Sequence, residues 1–278
     1  MKKIIIIGRN SFIGKNLYFA LKKNFLTKKV SYKKFIRLKN SSIKADYIIN
    51  CSSNKDYVNK VYKIKNDFDY QVALKIESLK TKLLILSSRK VYKPGDAIKE
   101  TNNLYFSSNY SKNKILTEKK VQKILKNKVL ILRISNIIGP RNNYISNKNF
   151  KRKVHTTFVD HFFINIKKNL IFNNFNNYKD FISIKKFSEI VSKLIHKDLT
   201  GTFNISMGKK VYLKKIINWL NYHNDKDFDY INLPKKYDKD CFYLNNSRLK
   251  KMINIKISLK ELEKYCKEVS MNYFKKKI

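Results

Sequence analysis

The chain has 278 residues, 43% of them hydrophobic, enough for one large domain or two unequal ones and too apolar for a disordered polymer. Its formal charge is +42, but only seven of its 62 basic residues are arginines: Arg9, Arg37, Arg89, Arg133, Arg141, Arg152 and Arg248. Nucleic-acid binders cluster charge on one face and rely on Arg for bidentate readout, whereas lysine here runs along the whole chain beside abundant Asn and Ile. Drift toward A- and T-rich codons therefore explains the charge better than a specific nucleic-acid partner, although the excess still favours anionic ligands.

The first element is a short apolar strand, Lys3–Ile7. Its run Ile4–Ile7, like Val129–Leu132, is far shorter than the roughly 18–20 residues a membrane span needs. Lys2-Lys3 ahead of it has the outline of a signal peptide, but Gly8-Arg9 ends the apolar stretch too early. Glycine is scarce, with six in the chain, and two of them, Gly8 and Gly14, bracket the turn after this strand. Ser11 to Asn24 then carries helical spacing at Phe12, Ile13, Leu17, Phe19, Ala20 and Leu21. A second strand is predicted near Lys29–Lys33. Tyr47–Asn50 reads as a buried strand ending in Cys51-Ser52-Ser53. Asp56 to Lys80 reads as helix, with Val58, Val61, Ile64, Phe68, Val72, Leu74 and Ile76 available for packing.

Leu83–Leu86 is the next buried strand and ends in Ser87-Ser88; Tyr110–Leu125 is helical and Val129–Ile134 is again a strand. Solid apolar strands alternating with helices indicate a parallel sheet covered on both faces. The texture changes after Gly139-Pro140, where an Asn- and Lys-rich stretch runs from Arg141 to Arg152. Phe181–Ile184 with Phe187–Ile195 reads as one more strand and helix, and Lys210–Trp219 and Leu259–Ser270 as further helices. There is no internal repeat, and the basic tail Lys275–Lys277 reads as a solvated end. Cys51, Cys241 and Cys266 are widely spaced and show no metal-ligand pattern, which suits a reducing cytoplasm without a disulfide framework.

Two constellations carry chemistry. The first turn reads Gly8-Arg9-Asn10-Ser11-Phe12-Ile13-Gly14. A dinucleotide site needs close backbone approach to a pyrophosphate and a helix N-terminus aimed at its charge. Gly8 and Gly14 stand where the first and third glycines of such a turn would be, with Ser11 replacing the middle one. The second constellation is Tyr110-Ser-Lys-Asn-Lys114, which puts a phenol and an ammonium on one helix face. A neighbouring ammonium favours the phenolate and lowers a pKa of about 10, making the Tyr a usable acid or base. Spacing alone decides little, since chance places roughly three or four such pairs in so lysine-rich a chain. They recur at Tyr18–Lys22, Tyr144–Lys148, Tyr222–Lys226 and Tyr273–Lys277. Position singles out Tyr110, which follows Ser88 at the carboxyl edge of a buried strand, where open α/β sheets bind ligands. Asn50-Cys51-Ser52-Ser53 ends another strand at that edge.

In this order the features resemble the extended short-chain dehydrogenase/reductase family, the nucleotide-sugar epimerases, dehydratases and reductases, over nearly the whole chain. Asn50-Cys51-Ser52-Ser53 matches its small-residue motif beside the cofactor, and Ser88 precedes Val91-Tyr92 as its Ser or Thr precedes Val-Tyr. Tyr110 and Lys114 match the catalytic pair. Arg133-Ile-Ser-Asn136…Gly139-Pro140 matches its Arg-x-x-Asn…Gly-Pro signature, and Lys179-Asp180-Phe181 its Arg-Asp-Phe motif. Gly201-Thr-Phe-Asn204-Ile and Leu244–Leu249 match later segments.

The resemblance implies an α/β Rossmann-type, doubly wound parallel sheet with a smaller C-terminal substrate-binding domain. Residues 1–140 plus about 180–200 would form the NAD(P)-binding domain, and 141–179 with about 201–278 the substrate-binding one. Tyr110 would be the acid/base, Lys114 would bind the nicotinamide ribose, and Ser88 would orient the substrate carbonyl or hydroxyl. The cofactor would lie against Gly8, Arg9, Ser11, Phe12, Ile13, Gly14, Lys33, Asn50, Cys51 and Ser52, and the substrate against Ser88, Asn136 and Lys179. A surface role for Lys179 is an equal reading, and a backbone-satisfied strand-end hydroxyl is the alternative for Ser88. Dehydratases of the family carry Asp-Glu after the catalytic Thr; Arg89-Lys90 here argue against dehydration. No Cys lies near Ser88, and His155 and His161 read as surface residues, which argues against epimerisation beside the ketone.

The first acid in the chain is Asp46, while Lys33, Lys34 and Arg37 surround the predicted end of the second strand. That favours NADP(H) over NAD(H), and with it net reduction. The expectation is an NADP(H)-preferring reductase of a nucleotide-linked keto-sugar, cytoplasmic and, by resemblance, homodimeric, with no membrane partner and no metal. The alternatives are a 4-epimerase with tightly bound NAD, a non-catalytic cofactor sensor, and a nucleic-acid binder.

Overall fold

The computed structural model describes residues 1–139, 158–168, 170–173, 176–226, 229–232 and 240–275. The strands are β1 Lys3–Ile7, β2 Leu26–Val30, β3 Tyr47–Asn50, β4 Lys82–Ser88, β5 Gly95–Ile98, β6 Val129–Ile134, β7 Asn136–Ile138, β8 Leu170–Asn173, β9 Tyr178–Lys179, β10 Phe181–Ser183, β11 Gly201–Ile205, β12 Val211–Tyr212, β13 Asp229–Asn232 and β14 Phe242–Leu244. The helices are α1 Phe12–Leu21, α2 Tyr32–Ile36, α3 Lys55–Asn59, α4 Phe68–Ile76, α5 Asn109–Leu125, α6 Phe158–Ile166, α7 Ile184–His196, α8 Leu213–Asn221, α9 Ser247–Ile253 and α10 Leu259–Phe274.

Six strands form one sheet in the order β11-β6-β4-β3-β1-β2, every pair parallel. The chain first moves outward from β1 to β2 and then returns to add β3 on the other side of β1. The strand order therefore reverses between β1 and β3, the place where open α/β sheets form a ligand crevice. Successive residues of each strand feed opposite faces. Ile4, Ile6, Tyr47, Ile49, Leu84, Leu130 and Leu132 pack with Leu17 of α1 and Phe187, Ile190, Val191 and Leu194 of α7. Ile7, Ile48, Leu83, Ile85, Val129 and Ile131 pack on the other side with Phe35, Val72, Ile76, Val121 and Leu125 from α2, α4 and α5. Burial on both faces is why these strands read as unbroken apolar runs, each such side chain contributing about 1.5–3 kcal/mol.

A second core gathers Val159, Phe162 and Phe163 of α6, Phe181 of β10, Leu213, Ile216 and Leu220 of α8 and Leu262, Cys266 and Val269 of α10. Around it lie two-stranded sheets: β10 with β7, β12 with β9, β13 with β8 and β14 with β5.

Several expectations shift. The second strand lies at Leu26–Val30 rather than 29–33, because Ser31 accepts a hydrogen bond from the Lys34 N–H at 3.3 Å and starts α2. The long helix expected over 56–80 is broken into α3 and α4. Asn54 caps the first through the Asp56 N–H (2.9 Å) and Asp67 restarts the second through the Tyr70 N–H (3.0 Å). Val61, Ile64 and Leu74, expected to pack, are exposed. Phe181–Ser183 pairs with β7 outside the main sheet, although α7 does cover that sheet. The main sheet's last strand is instead β11, a segment grouped above with the smaller domain. α8 begins three residues later than predicted, at Leu213. Pro140, Arg141, Tyr144, Lys148, Arg152 and His155 lie outside the described residues, as do Lys276 and Lys277 of the tail.

Candidate active site

The sheet reversal between β1 and β3 brings the glycine turn against the residues that follow β3. Gly8 has φ +98°, and a Cβ there would meet Ser52 Oγ at 2.8 Å and the Cys51 carbonyl at 2.9 Å. A Cβ on Gly14 would stand 2.5 Å from the Gly8 oxygen and 2.7 Å from Ser11 Oγ. Both positions thus require glycine for separate reasons, backbone conformation at the first and space at both. The Cys51 N–H donates to Ile7 O at 2.8 Å, locking the two turns together. Ser11 is the N-cap of α1, its hydroxyl accepting from the Gly14 N–H at 2.9 Å. That explains a serine at the middle position: it satisfies one of the helix's orphan donors. The result is a helix N-terminus at the crevice on a tightly packed glycine turn, an arrangement that fits a dinucleotide's pyrophosphate.

The surrounding predicted contacts are placed as follows. Arg9 is exposed, and its N–H donates to Val30 O at 3.3 Å, so its backbone abuts the end of β2. Lys33 is exposed on α2, just past that end. Phe12 and Ile13 are half-buried on the first core, and Gly139 leaves the space that the Phe12 ring and Ile184 fill. Asn50 is 2% exposed, its amide donating to Asp69 Oδ1 (2.7 Å) and Ser52 O (3.2 Å) while its oxygen accepts from the Ser52 N–H (3.0 Å). It shapes the turn from behind. Burial and the nearby Asp69 push the Cys51 thiol up, away from thiolate chemistry.

The second half of the edge centres on α5. Ser108 caps the helix in a reciprocal capping box with Ser111, and Tyr110 and Lys114 follow one turn apart on one face. Lys114 is 9% exposed, and its ammonium donates to Leu86 O of β4 at 2.8 Å. It stands 3.6 Å from Asp69 Oδ2 of α4 and 5.3 Å from the centre of the Tyr57 ring. Desolvation opposes its charge, but Tyr57, Asp69 and Tyr110 outweigh that and hold it protonated. Burial lifts Asp69 to about 6; Lys114 pulls it down, Asp67 pushes it up and the Asn50 hydrogen bond lowers it. Asp67 anchors the same region by accepting from Tyr62 (2.8 Å) and Thr117 (2.6 Å).

One turn beyond Lys114, buried Glu118 is gripped by Arg133 of β6 through Nη2 (2.7 Å) and Nε (3.1 Å), and accepts from the Ser87 hydroxyl. Arg133 also donates to the Tyr92 hydroxyl (2.7 Å), which donates to Asn204 Oδ1 (3.0 Å). The resemblance noted Arg133 and Tyr92 only as signature positions; their work is to pin α5 and the turn after Ser88 to the sheet.

Ser88 is half-buried at the tip of β4, and its hydroxyl accepts from the Lys90 N–H at 3.2 Å, capping the 3-10 turn Arg89–Val91. The hydroxyl keeps its proton to donate. Next to it, Arg89 and Lys179 both hold Asp240 Oδ2, at 2.6 and 2.9 Å. Burial alone would raise Asp240, but these two cations bring it down to about 2. Lys90 is lowered by desolvation and by the nearness of Arg89 and Lys179, so three cations crowd one acid beside Ser88. Asn136 donates to Asp180 O through its amide at 3.1 Å, which ties it to the strand that carries Lys179. Asp180 itself accepts from the N–H groups of Met207, Gly208 and Leu244 at 2.9–3.1 Å and is a structural knot. At the carboxyl end of β6 the buried Ser135 hydroxyl has no hydrogen-bond partner among the described residues.

Ser88, Asn136 and Lys179 thus lie at or just past the ends of β4 and β6, Lys114 reaches β4 at Leu86 with Tyr110 one turn before it on α5, and Gly8–Gly14 meet Cys51 and Ser52 at the crevice. Sequence reading missed Asp69, Glu118, Ser135 and Asp240. One signal was available for three of them: with only 20 acidic residues in the chain, a carboxylate is far rarer than a lysine and more apt to be held for a purpose. Among the described residues no cluster of His, Cys, Asp and Glu could hold a metal, and no helix is long and apolar enough to cross a membrane.

A family model described as "NAD dependent epimerase/dehydratase family" matches residues 4–206. No curated protein matches the chain in sequence. Among solved structures, a UDP-N-acetylglucosamine 4-epimerase from Methanobrevibacter ruminantium M1, in complex with UDP-N-acetylmuramic acid, superposes with a TM-score of 0.80 at 17% identity, covering 100% of this chain and 99% of its own. TunA, an NAD dependent NDP-hexosamine 5,6-dehydratase involved in tunicamycin biosynthesis, gives 0.78 at 16% identity over 99% of this chain and 98% of its own. A dTDP-4-dehydrorhamnose reductase, the RfbD ortholog from Clostridium acetobutylicum ATCC 824, gives 0.74 at 18% identity over 97% and 100%. At these identities the likeness is one of fold.

Proposed function

We propose, on the premise that the chain belongs to the NAD dependent epimerase/dehydratase family, that it is an NADP(H)-preferring reductase of a keto-sugar carried on a nucleotide. The observation that carries this reading is Lys114, a buried ammonium tied to β4 at Leu86 and one helical turn from Tyr110, at the sheet edge that Ser88 terminates. When bound, the nicotinamide cofactor supplies a hydride to the substrate carbon. Tyr110 delivers the matching proton to the carbonyl oxygen, Ser88 donates a hydrogen bond to that oxygen, and Lys114 holds the nicotinamide ribose. The Gly8–Gly14 turn and the α1 N-terminus receive the pyrophosphate.

Arg9 and Lys33, at the end of a second strand that presents no acid, support a 2′-phosphate. Lys179, with Arg89 and Lys90 beside it, supports recognition of the nucleotide diphosphate, and Asn136 lies on the substrate side. Arg89-Lys90 in the two places after Ser88 leave no acid–base pair for water elimination.

The deciding experiment is cofactor analysis of the protein as purified, followed by turnover with a 4-keto nucleotide sugar. NADPH consumption supports the reductase; tightly bound NAD with no need for added reductant makes the protein a 4-epimerase instead. In either case Tyr110→Phe lowers turnover by about 100- to 10,000-fold with the fold intact by circular dichroism. Near-normal turnover in that variant removes Tyr110 from the chemistry.

A further inference from the structure

We propose that Asp69 is the positioning residue of Lys114: its carboxylate, clamped from the far side by the Asn50 amide, holds the ammonium at the carboxyl end of β4 in the pose that receives the nicotinamide ribose. The proposal rests on the reading of Lys114 as the ribose ligand. Four separate segments build the arrangement. The Asn50 amide fixes Asp69 Oδ1 at 2.7 Å from the end of β3, leaving Oδ2 facing Lys114 at 3.6 Å, while Leu86 O fixes a second ammonium proton at 2.8 Å. The carboxylate is 6% exposed, so water does not compete for the pair and the attraction is strong. An ammonium has three donors; one is held by Leu86 O and the ion pair with Asp69 orients the group, which leaves donor capacity for a ligand.

A carboxylate in this place differs from an amide in being able to lose its charge. The groups facing Asp69 are Cys51 after β3, Tyr57 of α3, Asp67 on its own turn and Lys114 of α5. Cys51, Tyr57 and Lys114 are all displaced upward and do not change charge near neutrality, while burial brings Asp69 to about 6. Below that pH the anchor is a neutral acid, and Lys114 loses its charged partner. Two pH dependences of opposite sign follow. Because burial raises Asp69 from 3.8 to about 6, its contribution to folding is fully present below the unfolded value and is lost as pH rises through the folded one. Cofactor affinity runs the other way, since the ionised carboxylate is the form that orients Lys114. A merely structural carboxyl gives the first dependence without the second.

The test is calorimetric binding of NAD⁺ and NADP⁺ to the wild-type protein and Asp69→Asn between pH 5 and 8, with the Asp69 carboxyl followed by ¹³C NMR. In the wild type the Kd of the preferred dinucleotide rises about tenfold as pH falls through the midpoint of the carboxyl resonance. Asp69→Asn, which keeps an oxygen for Asn50 but no charge to titrate, binds without that step. A wild-type affinity that is flat across this range overturns the proposal even should the variant fail to fold. The same step persisting in Asp69→Asn also overturns it. A carboxyl that titrates near 6 in a protein that binds neither dinucleotide at any pH refutes the cofactor reading itself, and the role assigned to Asp69 with it.

Discussion

The crevice between β1 and β3 and the edge where α5 meets β4 and β6 are neighbours on one sheet, yet they are built on different physics. The crevice is defined by missing atoms and backbone groups: Gly8 and Gly14 supply space, and Ser11 and the α1 N-terminus supply aligned N–H donors. The α5 edge is defined by buried charge: Lys114 with Asp69, and Arg133 with Glu118, joined by Tyr92 and Ser87. In the first the components lie within seven residues of each other. In the second they come from α4, β4, α5 and β6, and only the fold assembles them. Neutralising an acid on the second site leaves an unpaired charge in a low dielectric, whereas crowding the first only displaces neighbours. Damage should therefore be larger at the charged edge.

Arg133→Met is the severest test of that difference. It leaves Glu118, 3% exposed, without its guanidinium partner, and about 3–5 kcal/mol of folding stability should go, read as a fall in the urea midpoint. Pairing it with Glu118→Leu should recover most of the loss, because the cost lies in the stranded charge. A single variant losing less than about 1 kcal/mol would show that the edge does not depend on the pair. Gly14→Ala comes next. Its Cβ would stand 2.5 Å from the Gly8 carbonyl, a backbone atom that cannot swing aside, so the turn must shift at a cost of about 1–3 kcal/mol. Dinucleotide affinity should fall by more than stability does, since that shift moves the cradle itself. Unchanged affinity would place the pyrophosphate elsewhere.

The same division governs what could be read without coordinates. The glycine turn, β1, β3, β4, β6 and α5 were legible because a short window carries their signal: a solid apolar run, a helical stripe, two glycines six residues apart. Residues 56–80 were not, because an apolar stripe spanned both α3 and α4 while the break depends on Asp67, whose capping role is fixed by Thr117 and Tyr62 as much as by Tyr70. β2 was misplaced for a related reason. It is an edge strand carrying Lys28 and Lys29, so no apolar run marks it, and lysine on an edge blunts further pairing. Ser88, Tyr110 and Lys114 were singled out by position along the chain, but Asp69 and Asp240, which hold Lys114, Arg89 and Lys179, lie 45, 151 and 61 residues from the groups they grip. No local pattern encodes a partner at such separation.

The mildest test falls on Ser11, where the two kinds of construction could be confused. A serine in a turn proposed to receive a pyrophosphate invites the reading that its hydroxyl contacts the ligand. The structure instead turns that hydroxyl to the Gly14 N–H at 2.9 Å, as the cap of α1. If capping is its work, Ser11→Ala should cost about 1 kcal/mol of stability, while Ser11→Gly should cost only a few tenths, roughly the difference between those residues at an N-cap. Dinucleotide affinity should follow the same order, falling little in Ser11→Gly because that variant keeps the start of α1 best in place. A loss of affinity that is equal in the two variants and larger than their loss of stability would assign the hydroxyl to the ligand, and would make this turn, like the α5 edge, a site built on a side chain rather than on space.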